Sequence, residues 1–225
     1  MTKDIFLLGS TGSIGDTTLN ILKKDRKNFK IKLLTTNSNV NKLYKQAILF
    51  KVKKIVIFNV KEFEKNYKKF QKKKIKAYCS INDAFKRNKK KSYLTINAIS
   101  GIDGLEPSLD IIKYSNNLAI ANKESIICGW KFLQKALLKN KTGFIPLDSE
   151  HFSIWSLLKH EKKENIKKIY LTASGGPFLN YKLNKLKNIN PKQALKHPNW
   201  KMGKKISIDS ATMMNKIFEV IEAIK

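Results

Sequence analysis

In the stretch FIPLDSEHFSIW, from Phe144 to Trp155, two carboxylates, Asp148 and Glu150, flank a single serine at the end of an apolar run. On extended backbone the side chains at i and i+2 point the same way, so this pair can converge on one point in front of a strand end. Like charges that converge need a counter-charge. A divalent cation meets that need, and so does the water around a solvated loop; the residues of this stretch alone admit both.

A second chemical feature lies in IFLLGSTGSIGDTTLNIL, where Gly9, Gly12 and Gly15 stand between a buried strand and a helix. Glycines there permit a tight turn and close backbone approach, and the helix N-terminus offers N–H donors to a pyrophosphate. The GxxGxxG spacing departs from the commoner GxGxxG, but strand, turn and helix fall in the order that dinucleotide binding requires. NAD-selective sites place an acid at the end of the second strand, on the ribose 2′-hydroxyl. Here LLTTNSNVNKL has none between Ile31 and Phe50. The neutral residues Thr36, Asn37, Ser38 and Asn39, with Lys42 and Lys45 beyond, would admit a 2′-phosphate, which points to NADPH.

Four further segments are dense in polar groups yet bounded by apolar ones: AIANKESI (119–126), LTASGGPF (171–178), KHPNWKMGKK (196–205) and SIDSATMMNKIFEVIE (207–222). Each has an ordinary structural reading. ANKES suits a helix N-terminus with Glu124 in its first turn, SGGP a turn, HPNW a surface loop, and the last segment a capped helix.

These groups must be positioned by the 225 residues of the chain, enough for one large or two modest domains, and 42% hydrophobic content can bury a core. Short β-rich runs alternate with helical patterns through the first two-thirds. Strands are expected at Ile5–Leu8, Ile31–Leu34, Lys54–Phe58, Ile75–Cys79, Leu94–Ile99 and Leu118–Ala121, with helices between them such as Thr17–Lys24 and Val40–Phe50. This alternation predicts an α/β fold with a doubly wound parallel sheet of Rossmann type. From about Phe144 the texture changes. KKIYLTAS and KKISIDS read as strands bracketing a long polar stretch, and ATMMNKIFEVIEAIK reads as a helix running to the last residue without a C-cap signal. The expected division is a dinucleotide-binding domain over 1–147 and the start of an α+β domain over 148–225.

The net charge of +29, from 46 basic and 17 acidic residues, suggests nucleic acid or an anionic membrane. Against it, the only arginines are Arg26 and Arg87, and lysines run through nearly every segment instead of forming one stripe. No nucleic-acid or membrane partner is therefore expected. Cys79 and Cys128 have neither CxxC nor zinc-finger spacing and read as free thiols of a reducing cytoplasm. The chain enters IFLLG directly after its first residues, with no signal-peptide core, and no apolar run approaches the roughly 18 residues a membrane span needs.

Taken together, GSTGSIG, ANKES, PLDSEH, SGGP and above all HPNWKMGKKISIDSATMMNK resemble the 1-deoxy-D-xylulose 5-phosphate reductoisomerase family, in the family's order, from the glycine loop to Glu219. The resemblance implies an NADPH-dependent enzyme that turns 1-deoxy-D-xylulose 5-phosphate into 2-C-methyl-D-erythritol 4-phosphate in non-mevalonate isoprenoid synthesis. It implies that Thr11, Gly12, Ser13 and Ile14 hold the pyrophosphate side of NADPH, that Asn37, Ser38 and Asn39 lie at its ribose phosphate, and that Asn122, Glu124 and Gly203 touch it elsewhere. Asp148, Glu150 and Glu219 would bind Mg²⁺ or Mn²⁺, as carboxylates suit a hard cation. Lys123 and Ser149 would meet the reacting end of the sugar phosphate, and Ser174, His197, Ser210, Asn215 and Lys216 would grip it, chiefly by its phosphate. Trp200 and Met202 would belong to a flap over the substrate. Asn215 and Glu219 are four residues apart, so one helix face could present both.

Two departures stand out. Asn37 occupies a turn where the family usually carries glycine, and asparagine tolerates the left-handed conformation such a turn asks for. The family also continues past the position of Lys225 with more of the catalytic domain and a C-terminal helical domain. The expectation is accordingly a truncated chain whose last helix exposes an apolar face, with low stability or self-association as the consequence. The resemblance implies a cytoplasmic homodimer for the longer family members, and not necessarily for a chain ending here.

Overall fold

A computed structural model describes residues 2–86, 90–198 and 203–225. The chain divides into two compact units, Met1–Asp148 and Ser149–Lys225.

In the first unit β1 (Lys3–Leu8), β2 (Phe29–Thr36), β3 (Lys54–Ile57), β4 (Lys76–Tyr78), β5 (Leu94–Asn97), β6 (Asn117–Ile120) and β7 (Gly143–Pro146) form one sheet in the order β4-β3-β2-β1-β5-β6-β7. Every pairing is parallel. The connecting helices are α1 (Ser13–Lys24), α2 (Val40–Leu49), α3 (Val60–Gln71), α4 (Ile81–Phe85), α5 (Leu105–Ile112) and α6 (Lys123–Asn140). Alternation along β1 explains why both faces are covered. Ile5 and Leu7 join a cluster with Leu19 and Leu22 of α1 and Leu43 and Ala47 of α2, whereas Phe6 and Leu8 join one with Ile111 of α5 and Ile126 and Leu133 of α6. A strand buried on both sides has to be apolar throughout, which is how FLL reads.

Side chains set the helix starts. Asn39, Asn59, Ser80 and Asn122 each accept a backbone N–H from three residues ahead and so cap α2, α3, α4 and α6. The start of α1 differs: its N-cap is Gly12, and no side chain caps it.

The second unit contains α7 (Ser149–Leu158), two single-turn helices α8 (Leu183–Leu186) and α9 (Pro191–Ala194), then α10 (Lys204–Ala211) and α11 (Met214–Ala223). Its described residues include no strand. KKIYLTAS, expected as a strand, lies outside any regular element, and KKISIDS, also expected as a strand, is α10. Alternating Ile206 and Ile208 mimic a strand over a short run, but a strand without a partner leaves its backbone groups unpaired, while a helix pairs them internally. The i,i+4 pair Lys205–Asp209 at 2.5 Å further favours the helix. The expected terminal helix starts only at Met214, after Met213 in the left-handed region at φ 63°. Its apolar side chains are exposed as expected, Ile217 at 50% and Val220 at 46%. Among the described residues no helix is long and apolar enough to cross a membrane.

Candidate active site

The sheet order reverses at β1, whose neighbours are β2 and β5, and the crevice at such a reversal is where doubly wound sheets bind ligands. The glycine loop leaves β1 there. Gly9 has φ +70°, and a Cβ on it would stand 2.9 Å from the backbone of Ala98. A Cβ on Gly15 would stand 2.5 Å from the Gly9 carbonyl oxygen. Both glycines are thus demanded by the turn itself. Gly12 is different, because its Cβ would meet nothing nearer than 3.5 Å. A methyl group there would sit in ordinary contact with the Gly9 and Ala98 carbonyls, and Gly12 itself is exposed at the start of a helix that no side chain caps.

The loop is held from behind by residues that sequence reasoning did not single out. The Gly9 N–H donates to Thr35 Oγ1 at 2.9 Å and the Ser10 N–H to the Thr35 carbonyl at 2.9 Å. Buried Ser10 donates through Oγ to Gln46 Oε1 at 2.8 Å, and Gln46 Nε2 donates back to the Ser10 carbonyl at 2.9 Å and to Asp16 Oδ1 at 3.1 Å. Thr11 Oγ1 bonds Thr36 Oγ1 at 2.7 Å. Asp16 in the first turn of α1 would repel an anion, but Lys42 forms an ion pair with it and also reaches the Thr11 carbonyl at 2.9 Å. Lys42, expected to meet a 2′-phosphate, is therefore directed to the loop instead.

Thr11 is half-buried and Ser13 and Ile14 are exposed beside Gly12. Asn37, Ser38 and Asn39 are exposed beyond β2, and Ser38 and Asn39 line a cavity of about 330 Å³ with Lys65 and Asn66 of α3. Asn37 is absent from the positive-φ positions, which among described non-glycine residues are Lys51, Lys74, Lys141 and Met213. The turn after β2 thus asks nothing of Asn37 that only glycine provides. Asn122 is buried, caps α6 and donates to the Ile99 carbonyl at 2.7 Å, with Glu124 in the first turn after it. Lys123, on that same turn, forms a buried ion pair with Asp148, the last residue of the first unit.

Ser149 and Glu150 open α7. The expectation that Asp148 and Glu150 share one extended strand is thereby corrected: helical backbone begins between them, so the period-two argument does not apply. The second unit brings Glu150 together with α11. Carboxylate oxygens of Glu150 and Glu219 lie within 4.8 Å of one another. Lys216 stands between them, 3.6 Å from Glu150 Oε1 and ion-paired with Glu219 Oε2, and it also donates to the Thr172 carbonyl. Asn215 donates to Glu219 Oε1 at 2.5 Å, so the expected sharing of a helix face is realised. Ser149 Oγ donates to Glu150.

A second cluster gathers the other expected substrate residues. Ser174 Oγ bonds His197 Nε2 at 3.0 Å. A Cβ on Gly176, at φ +64°, would come within 2.9 Å of the Ser210 carbonyl oxygen, so the SGGP turn lies directly on α10, whose N-cap is Gly203. Trp200 and Met202 lie outside the described residues.

A seven-stranded parallel sheet reversing at β1, with an open glycine loop at the reversal, defines a dinucleotide-binding-type α/β protein of the Rossmann class. A family model described as 1-deoxy-D-xylulose 5-phosphate reductoisomerase matches residues 5–129, and one described as that enzyme's C-terminal domain matches 144–225. The chain belongs to the 1-deoxy-D-xylulose 5-phosphate reductoisomerase family. A relative of that name from Pelagibacter ubique (strain HTCC1062) is 58% identical over 99% of this chain and 58% of its own length. Another, from Wolbachia pipientis subsp. Culex pipiens (strain wPip), is 43% identical over 98% of this chain and 56% of its own. The Zymomonas mobilis reductoisomerase in complex with NADPH superposes with a TM-score of 0.86 at 32% identity, covering 99% of this chain and 57% of that one. A DOX-P reductoisomerase in complex with NADPH, fosmidomycin and magnesium gives 0.83 at 34% identity, covering 98% and 57%. The chain spans between 56% and 58% of the length of these proteins.

Proposed function

We propose that this protein works as an NADPH- and divalent-metal-dependent reductoisomerase that converts 1-deoxy-D-xylulose 5-phosphate to 2-C-methyl-D-erythritol 4-phosphate. The observation that carries the proposal is the meeting of Glu150 and Glu219 next to Lys216 and Asn215, in a chain belonging to this family.

The residues fit both groups. The exposed Gly12 and the uncapped start of α1 suit a pyrophosphate, with Thr11, Ser13 and Ile14 around it and Asn37, Ser38 and Asn39 towards the adenosine end. Asp148, Glu150 and Glu219 would supply an all-carboxylate donor set, which suits Mg²⁺ or Mn²⁺. When bound, the cation would polarise the substrate's adjacent ketone and hydroxyl oxygens and the nicotinamide would supply the hydride. The protein's own part is orientation. Lys123 holds Asp148, and Asn215 and Lys216 hold the Glu219 carboxylate. Ser149 faces the reacting end of the sugar. Ser174, His197 and Ser210, with Asn215 and Lys216, supply hydroxyl, imidazole, amide and ammonium groups to the phosphate. Asn122, Glu124 and Gly203 complete the cofactor contacts. The working protein is read as a cytoplasmic enzyme, homodimeric at the length of its relatives, with a sugar phosphate and no nucleic acid as its partner.

The test is product formation. The chain, and the chain extended by the C-terminal region of the Pelagibacter relative, would be incubated with 1-deoxy-D-xylulose 5-phosphate, NADPH and Mn²⁺ and the products read by NMR. Methylerythritol phosphate is expected; unchanged substrate with both proteins overturns the proposal.

A further inference from the structure

The most deeply buried side chains of helix α11 are two carboxylates. Glu219 is 0% exposed and Glu222 7%, while Ile217 and Val220 face outwards. Desolvation opposes the burial of two carboxylates, and of the apolar side chains of α11 only Phe218 and Ile221 are half-buried, the rest being exposed. Something polar holds this face in place. The group in position is His151, itself 7% exposed, directly after Glu150 on α7. Its Nε2 lies 2.9 Å from the backbone carbonyl of Glu219 and its Nδ1 3.3 Å from Glu222 Oε2. A carbonyl only accepts, so Nε2 carries the hydrogen, and Nδ1 faces the Glu222 carboxylate.

We infer that His151 and Glu222 are a positioning pair for the cation site, a rigid spacer that fixes α11 against α7 so that the carboxylates of Glu150 and Glu219 meet. The inference rests on the proposed reading of Glu150 and Glu219 as cation ligands. One imidazole grips the backbone of the residue bearing one ligand and a side chain one turn further on, while its own chain neighbour bears the other ligand. One hydrogen bond and one close carboxylate, on opposite sides of a flat ring, set both the spacing and the rotation of α11. An apolar contact in their place would permit sliding, and a shift of an ångström is enough to spoil a metal site. Outer residues that orient ligands are typically worth roughly 10- to 100-fold in metal affinity.

The test titrates Mn²⁺ alone into the chain, reading free Mn²⁺ by EPR, with NADPH binding and circular dichroism recorded on every variant. Glu150→Gln serves as the ligand control and is expected to lose Mn²⁺ binding. His151→Phe and Glu222→Leu, read where dichroism shows them folded, are expected to weaken Mn²⁺ binding roughly 10-fold or more with NADPH affinity unchanged. Glu222→Gln, whose amide can still donate to Nδ1, is expected to stay within about threefold of the parent chain. The double variant His151→Phe/Glu222→Leu should be no weaker than the worse single one, since both remove one device. If His151→Phe and Glu222→Leu keep parental Mn²⁺ affinity while Glu150→Gln loses it, the positioning role is wrong and the ligand reading stands. Should Glu150→Gln bind Mn²⁺ as the parent does, the ligand reading fails and the inference falls with it. If His151→Phe does not fold, Glu222→Leu against Glu222→Gln decides the question, and equal affinities overturn the pair.

Discussion

Lys216 and Glu219 stand one helical turn apart on α11 and close an ion pair whose carboxylate is fully buried, with Asn215 donating to the same carboxylate. The pair draws Glu150 in from α7 and ties the helix to the Thr172 carbonyl. Removing one partner of a buried pair is costly because the remaining charge keeps its desolvation penalty. Lys216→Met is expected to lower the stability of the second unit by about 3 kcal/mol, and Lys216→Met/Glu219→Leu to recover part of that loss. Urea denaturation of the three proteins measures both.

The glycines of the loop should separate by role. Gly15→Ala places a Cβ 2.5 Å from the Gly9 carbonyl and is expected to destabilise the first unit by about 1–3 kcal/mol. Gly12 has φ −79° and room for a methyl group, so Gly12→Ala should fold with parental stability. Its methyl would crowd the loop proposed for the pyrophosphate, beside the Gly9 and Ala98 carbonyls, and NADPH affinity should fall about tenfold or more. Thermal melts and fluorescence titration with NADPH distinguish the two substitutions.

Gln46 ties Ser10 to Asp16 across the back of the loop. Gln46→Leu keeps the volume but removes the amide that donates to the buried Ser10 carbonyl and to Asp16, leaving the Ser10 hydroxyl to Thr35 alone, which costs about 1–3 kcal/mol. NADPH affinity should weaken as well, because the loop loses its anchor. Melting curves with and without NADPH check this, and a smaller stabilisation by cofactor in the variant is the expected sign.

Lys54, at the start of β3, has its ammonium pushed below the ordinary 10.5 by burial first and by the neighbouring charge of Lys76 second. Between that lowered folded value and 10.5 the unfolded chain holds more protons than the folded one. Stability attributable to this group therefore rises with pH across that window. Lys76→Gln removes the like charge and should move Lys54 back towards 10.5 without restoring it fully, since burial remains. Carbon-13 NMR of the lysine ε-carbons during an alkaline titration reads the shift.

How much of this was legible in the residues varies by kind. The strands from Ile5 to Ile120 were readable because parallel strands buried on both faces must be apolar runs, and FLL, KIVI and NLAI have few other uses. Ile206 and Ile208 misled because a four-residue alternation is shared by strands and short helices, and only the lack of a partner strand decides. The loop chemistry was visible in Gly9, Gly12 and Gly15, but its anchors were not: Ser10 meets Thr35 and Gln46 from 25 and 36 residues away, and nothing local announces that. Asp148 and Glu150 drew notice as rare acids in a basic chain. Glu219 entered through the family resemblance alone, since a glutamate on a helix rich in Ile and Val looks like solvent-facing surface when it is in fact the buried side. His151 went unremarked for the same reason, its partners lying 68 and 71 residues further along.

The account stands most directly on the cation dependence of hydride consumption. Loss of NADPH absorbance would be followed with 1-deoxy-D-xylulose 5-phosphate and Mn²⁺ for the extended protein, its Asp148→Ala and Glu150→Ala variants, and mixtures lacking substrate or metal. The account predicts NADPH oxidation only when protein, substrate and metal are all present, and none in either variant despite unchanged NADPH binding. Oxidation that persists without metal, or in Glu150→Ala at the parental rate, would contradict it.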